Sequence, residues 1–207
     1  QLHRSLRGLG REGFRHIHVL NSQAEVDAAV IERQRLWNNR KAETGPFDII
    51  GDVHGCCDEL EQLLQRLGYE RNDGGPWAHP SGRKAIFVGD LVDRGPRIVD
   101  TLKTVMSMSQ AGTALSVPGN HDMKLMRKLR GRDVRITHGL AESLAQLEQQ
   151  PLTFAPRAAD FIDGLVSHYV LDDGKLVVAH AGLPESMQGR GSGKVRDFAL
   201  YGDTTGE

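Results

Sequence analysis

Four short motifs sit at one recurring address in this chain, each directly behind a short apolar run. They are Gly51-Asp52-Val53-His54-Gly55, Gly89-Asp90-Leu91-Val92-Asp93-Arg94-Gly95, Gly119-Asn120-His121-Asp122 and His180-Ala181-Gly182. The runs before them are Phe47 to Ile50, Ala85 to Val88, Ala114 to Val117 and Leu176 to Ala179. Brief apolar runs closed by Gly or Pro read as buried strands. The pattern therefore gathers Asp, His and Asn side chains at the carboxyl ends of several strands, where open α/β sheets hold their ligands.

Between the runs lie helical stripes. Leu60, Leu63, Leu64 and Leu67 form one, closed by Gly68, and Ile98, Val99, Leu102, Val105 and Met106 form a second behind Pro96. A third helix is expected to start near Asp122 and carry Leu125, Met126 and Leu129; a fourth carries Leu140, Leu144 and Leu147. His168 to Leu171, Asp172-Asp173-Gly174 and Lys175 to Ala179 read as a β-hairpin. After Leu183 the chain is Gly-rich through Lys194, and no closing strand is expected before Glu207. The Met and Leu stripes are core faces.

Residues 1–46 follow a different pattern. Phe14 to Leu20 alternates as a short strand, and Ser22 with Glu25 has capping-box spacing for a helix continued by Val26, Ala29, Val30 and Arg33. Leu36 to Asn39 marks its end and Gly45-Pro46 a boundary. One strand and one helix cannot enclose a core, so this segment is expected to pack on another unit.

Bulk properties exclude some classes. A formal charge of -1 over 207 residues gives no global basic field, though a local basic groove stays open. No apolar run approaches the ~20 residues of a membrane helix, and Gln1-Leu2-His3-Arg4 lacks a secretory apolar core. The two cysteines, Cys56 and Cys57, are adjacent and badly placed to bridge each other. A reduced, cytoplasmic chain is the expectation.

Oxygen and imidazole donors without thiolate describe a hard or borderline divalent ion. Asp52 and His54, two apart, project to one side if the backbone is extended and so share an ion. The Asp90 carboxylate bridges two ions, with Asn120 and His180 as further donors. Paired ions about 3.5–4 Å apart bring the pKa of a bound water to about 7 and catalyse phosphoester hydrolysis. Arg94 offers a planar fork for phosphate oxygens. His121 is placed for general acid work on a leaving alkoxide, with Asp93 to orient its ring. The histidines His3, His16, His18, His79, His138 and His168 lack such a context and read as structural or surface residues.

At these motifs the chain resembles the calcineurin-like metallophosphoesterases, and its Asp-Arg-Gly and His-Ala-Gly forms resemble the protein-phosphatase-like branch with its symmetrical diadenosine-tetraphosphate hydrolases. The stretch from Gly45-Pro46 through Cys56, with the helix around Glu25 to Ala29, resembles the central phosphatase module of bacterial polynucleotide kinase-phosphatases. That resemblance implies an α/β fold, a four-layer αββα sandwich, incomplete here on the C-terminal side. It implies residues 1–46 as the tail of a kinase module and 47–207 as a partial phosphoesterase domain. Asp52, His54 and Asp90 would hold one metal; Asp90, Asn120 and His180 the second; Arg94, Asn120 and His121 would contact substrate phosphate. Mn²⁺ is the implied ion, with Ni²⁺, Co²⁺, Fe²⁺ or Zn²⁺ as alternatives. The implied partners are phosphorylated RNA ends, kinase and adenylyltransferase modules in the same chain, and an RNA methyltransferase, with no membrane. The family's last metal histidine lies in a Gly-His-Thr motif that this chain lacks.

Three functions follow as expectations. The first is a phosphatase acting on 3′-phosphate or 2′,3′-cyclic phosphate of RNA. The second keeps the chemistry with phosphoprotein or dinucleoside polyphosphate as substrate. The third is an inactive fragment that only binds.

Overall fold

The computed structural model describes residues 18–32, 35–72 and 74–203. Three parallel strands form the first sheet in the order β1-β2-β3: β1 is Phe47–Ile50, β2 Lys84–Phe87 and β3 Ala114–Ser116. Parallel neighbours need crossovers, and helices supply them. One helix, Cys57–Arg66, joins β1 to β2, and another, Ile98–Ala111, joins β2 to β3. With Gln23–Ala28 as α1, these are α2 and α3. Then follow α4 (Asn120–Leu129), α5 (Leu140–Glu148) and α6 (Phe154–Gly164). The second sheet is the expected hairpin, β4 (His168–Leu171) antiparallel to β5 (Leu176–Ala179), its turn a single 3-10 stretch over Asp172–Gly174. The last helix is α7, Gly193–Tyr201.

The α/β sandwich expected from the sequence is present. Leu60 and Leu64 of α2, Ile98, Leu102 and Val105 of α3, Leu125 of α4 and Ile162 of α6 join Phe87 in one buried cluster on the helical side of the parallel sheet. Ile86, Leu115 and Val117 meet Tyr169, Leu171 and Val178 of the hairpin in the other. Ala85, Ile86 and Phe87 are fully buried, as a central strand covered on both faces requires. Each fully buried large apolar side chain contributes about 1.5–3 kcal/mol. Strand β4 alternates: Tyr169 and Leu171 face the first sheet, while His168 packs under Asn38 and the Gly189 turn.

Several expectations need correction. Of the two sheets, one is wholly parallel and one is a hairpin, because crossover helices connect the first and a four-residue turn the second. Among the described residues, mixed character enters only through a parallel bridge between Asn39 and Val170 beside β4. The expected strand at 14–20 lies partly outside the described residues, and 18–20 carry no regular structure. Helix α1 stops at Ala28, since Ala29 is already extended at φ -71, ψ 123. Leu36 to Asn39 is therefore no helix end. Instead Arg40 donates to Val170 O, and Asp172 and Asp173 donate to Glu43 O and Lys41 O. Leu63 points outward at 39% exposure. Helix α4 begins at Asn120, two residues early, and helices α6 and α7 stand where no regular structure was expected. Among the described residues, no helix is long and apolar enough to cross a membrane.

Candidate metal centre

The loops after β1 and β2 are zipped together by backbone hydrogen bonds. Val53 N and His54 N both donate to Asp90 O, Gly55 N to Leu91 O, and Gly95 N back to His54 O. The loop after β3 closes on this pair through two glycines. A Cβ on Gly89 would lie 2.2 Å from Gly119 N, and one on Gly119 would lie 2.0 Å from Asp90 Oδ1. These glycines are needed because loop packs directly against loop.

Asp122 ties the arrangement from below. It is fully buried; its Oδ1 accepts from Leu91 N and its Oδ2 from Gly119 N, both at 2.9 Å. Burial, reinforced by the Asp90 charge and opposed by the backbone N–H donors, pushes its pKa up to about 7. Asp90 Oδ1 in turn accepts from His121 N at 2.9 Å.

Two groups of ligand atoms result, each within 4.8 Å and both including Asp90: His54, Asp90 and His121, and Asp52, Asp90 and His180. Asp90 lies centrally and is 4% exposed. Asn120 joins the second group, its Oδ1 3.0 Å from His180 Nε2. The extended-backbone premise that paired Asp52 with His54 does not hold. His54 turns into the left-handed region at φ 46, so its ring stands beside His121 while Asp52 stands beside His180.

The donor set fits divalent cations. His54 Nδ1 sits 2.8 Å from Val92 O, and His180 Nδ1 sits 2.8 Å from Val88 O. A carbonyl only accepts, so both Nδ1 atoms carry protons and both Nε2 lone pairs face inward. Each Nε2 then looks at Asp90 Oδ2 across 3.7 Å, and His180 Nε2 also looks at Asn120 Oδ1. Acceptors aimed at acceptors repel unless a cation lies among them.

Beside this cluster His121 Nδ1 lies 2.6 Å from Asp93 Oδ2, which commits that nitrogen to donating and points Nε2 at the cluster. Arg94, exposed, brings Nη2 to 3.4 Å from His121 Nε2. All the residues singled out in the sequence thus converge, and four of them, His54, Asp90, Asp93 and Arg94, have positive φ. Non-glycine residues held there cost about 1–3 kcal/mol each and cluster at functional sites.

Sequence reasoning missed two members. Asp122 occupies the third position of α4 behind Gly119, where a capping acidic residue is a readable signal. Ser143, whose hydroxyl is 2.5 Å from Asp93 Oδ1, lies fifty residues from its partner and carries no local signal. The cysteines are unpaired; Cys57 is buried and burial raises its thiol pKa, the opposite of an activated thiolate.

Comparison with known proteins bears on this geometry. A family profile for calcineurin-like phosphoesterases matches residues 45–203. The asymmetrical bis(5′-nucleosyl)-tetraphosphatase PrpE of Anoxybacillus flavithermus is 45% identical over 165 residues, covering 78% of this chain and 67% of its own length. The Bacillus subtilis protein of that name is 40% identical over the same shares. Among solved structures, a putative diadenosine tetraphosphatase superposes with TM-score 0.51 at 27% identity, over 72% of this chain and 57% of that one. A cold-active protein tyrosine phosphatase, at 18% identity and TM-score 0.55, shares the fold over 83% of this chain and 53% of its own. The chain spans about two thirds of these curated relatives and little more than half of these structures. The chain belongs to the calcineurin-like phosphoesterase family, and its class is that of a hydrolase.

Proposed function

We propose that this calcineurin-like phosphoesterase is a metal-dependent hydrolase of phosphate groups carried by nucleotides. The observation that carries the reading is Asp90, shared by two groups of inward-facing donors with Arg94 and His121 alongside. Asp52, His54, Asp90, Asn120 and His180 would hold the ions, with the His121 ring close to one group. Bound divalent ions would polarise the phosphoryl oxygen and supply an acidified water. Arg94, open to solvent, binds phosphate oxygens as a charged fork. Asp93 fixes the His121 ring through Nδ1, leaving Nε2 to donate a proton to the leaving oxygen.

The relatives named as asymmetrical bis(5′-nucleosyl)-tetraphosphatases favour a dinucleoside tetraphosphate as substrate. A second reading, removal of phosphate from polynucleotide 3′ ends, is favoured by residues before the matched span. Trp37 there is 82% exposed on a cleft of about 720 Å³ that Arg35 and Arg196 also line. Arg196 is partly buried, its pKa lowered by burial, and is held by Leu165 O at 3.2 Å. Exposed aromatic rings beside guanidinium groups suit single-stranded nucleic acid. Asp160 and Asp163 line the same cleft, and Arg130 pairs with Asp160.

The intact protein would be assayed with Mn²⁺ on diadenosine tetraphosphate and on a 3′-phosphorylated oligonucleotide in direct competition. Preferred release of ATP and AMP supports the first substrate; preferred release of phosphate from the oligonucleotide supports the second. Inactivity on both, with metal bound, would overturn the hydrolase reading itself.

A further inference from the structure

Helix α5 faces the Asp93-Arg94-Gly95 turn with two polar side chains one turn apart. Ser143 Oγ accepts from Asp93 N at 3.0 Å and donates to Asp93 Oδ1 at 2.5 Å. Gln146 Nε2 donates to Gly95 O at 3.2 Å, and its Oε1 accepts from Ile98 N at 2.8 Å. The approach is close enough to need a glycine at the start of the helix: a Cβ on Gly139 would sit 2.5 Å from Arg94 N and 2.9 Å from Asp93 Cβ.

The turn is one that the local chain does not favour. Asp93 and Arg94 are consecutive non-glycine residues at φ 71 and φ 67. Left to itself such a turn relaxes, and both side chains swing. Ser143 and Asp93 are each fully buried, so no water substitutes for the hydroxyl. Asp93 has two oxygens and each has one assigned use: Oδ1 takes the Ser143 proton and Oδ2 takes the His121 Nδ1 proton.

We propose that Ser143 is a positioning residue for the hydrolytic reaction, holding Asp93 in the rotamer that aims His121 Nε2 at the leaving oxygen. The chain of contacts runs from Ser143 Oγ to Asp93 to His121 and ends at the cluster. Ser143 touches neither substrate nor metal ligand and acts only through Asp93. The proposal rests on the proton-donor reading of His121 given above.

The test compares Ser143→Ala and Ser143→Thr with the parent in the intact, metal-loaded protein. Two phosphate esters are used: a simple alkyl ester, whose departure needs a proton, and an aryl ester with an acidic phenol, whose departure does not. Removing a residue that orients a catalytic group typically costs about 10–100-fold. Ser143→Ala is expected to lower kcat for the alkyl ester by about that factor, with KM little changed, and to leave the aryl ester within about threefold. Ser143→Thr keeps the hydroxyl and is expected to recover most of the loss. In an Asp93→Asn background, Ser143→Ala should cause no further loss, since residues acting in series are not additive. Equal losses on both esters, or an undiminished loss in the Asp93→Asn background, would reduce Ser143 to a packing residue and overturn the proposal.

A second readout does not depend on turnover. The His121 Nδ1 proton, hydrogen-bonded to a buried carboxylate, should give a downfield proton resonance that is lost on Asp93→Asn. Ser143→Ala should shift or broaden it, and an unchanged resonance would overturn the proposal. If the parent hydrolyses neither ester, the proposed reaction has failed; if it does so while the resonance ignores Ser143, only the positioning role has.

Discussion

Replacing Gly119 by alanine perturbs the site through sterics alone. Gly119 is at φ -94, ψ 172, extended backbone that any residue adopts, so no conformational penalty is involved. The added Cβ would stand 2.0 Å from Asp90 Oδ1, 2.3 Å from Asp90 N and 2.8 Å from Asp90 Cγ. To reach an ordinary 3.4 Å contact, the Asp90 carboxylate must retreat by about 1.4 Å, and the backbone N must move with it. The retreat breaks the 2.9 Å bond from His121 N, a charge-assisted bond contributing about 1.5–3 kcal/mol. Overpacking adds about 1–3 kcal/mol, so the folded state should lose roughly 2.5–6 kcal/mol in all. Asp90 is common to both ligand groups, and a 1 Å misplacement at a reacting centre costs about 100-fold in rate. Gly119→Ala is therefore expected to lower turnover by about 100-fold or more and to weaken metal retention at both groups. Urea unfolding, metal analysis after gel filtration and turnover of a phosphate ester measure the three effects. A Gly119→Ala protein with parental metal content and turnover would refute the argument that the loops touch without slack.

Three further expectations are simpler. Asp90→Ala should abolish binding of two ions, whereas Asp52→Ala or His54→Ala should each weaken mainly one group; metal analysis decides, and two full equivalents in Asp90→Ala would end the bridging role. His121→Ala should slow esters with poor leaving groups by about 100-fold or more and activated aryl esters far less, read from kcat on both. His168 is an acid-sensitive point of the fold. Burial lowers its pKa below 6.5, and its Nε2 already accepts from Asn38 Nδ2 and Gly189 N. Because the unfolded chain then binds that proton more readily, the His168 contribution to stability should fall as pH drops below about 6.5 toward the lowered folded value. The buried Asp122 carboxyl, raised to about 7, pulls the other way, so the test is the difference between proteins: the unfolding midpoint of His168→Gln should gain on the parent as pH falls from 7 to 5, and identical pH dependence in the two would count against it.

Much of the site was legible because its residues lie directly behind strands. Apolar runs at Phe47, Ala85 and Ala114 fold as β1, β2 and β3, and Asp52, Asp90 and Asn120 follow within a few residues, so strand geometry alone delivers them to one edge. Helices α2 to α5 were readable from their stripes. Helix α6 was not, because its buried face at Phe154, Ala158, Ala159 and Ile162 is half alanine and Pro156 stands in its first turn. Helix α7 hides behind Gly189, Gly191 and Gly193, yet Ser192 caps it by accepting from Val195 N.

What the sequence determined, then, is the identity and order of the ligand-bearing loops, since a strand's last residues and the turn behind them are a local matter. Only the tertiary structure decided how the ligands group. Asp52 joins His180 and not His54 because His54 takes a left-handed turn stabilised by Asp90 O and Val92 O, thirty-six and thirty-eight residues away. It also decided that Ser143, from a helix with no chemical signature, closes on Asp93. Hydrogen bonds between segments fifty residues apart leave no periodicity in a sequence; they exist only once the loops have closed, and here two glycines and a buried carboxylate do the closing.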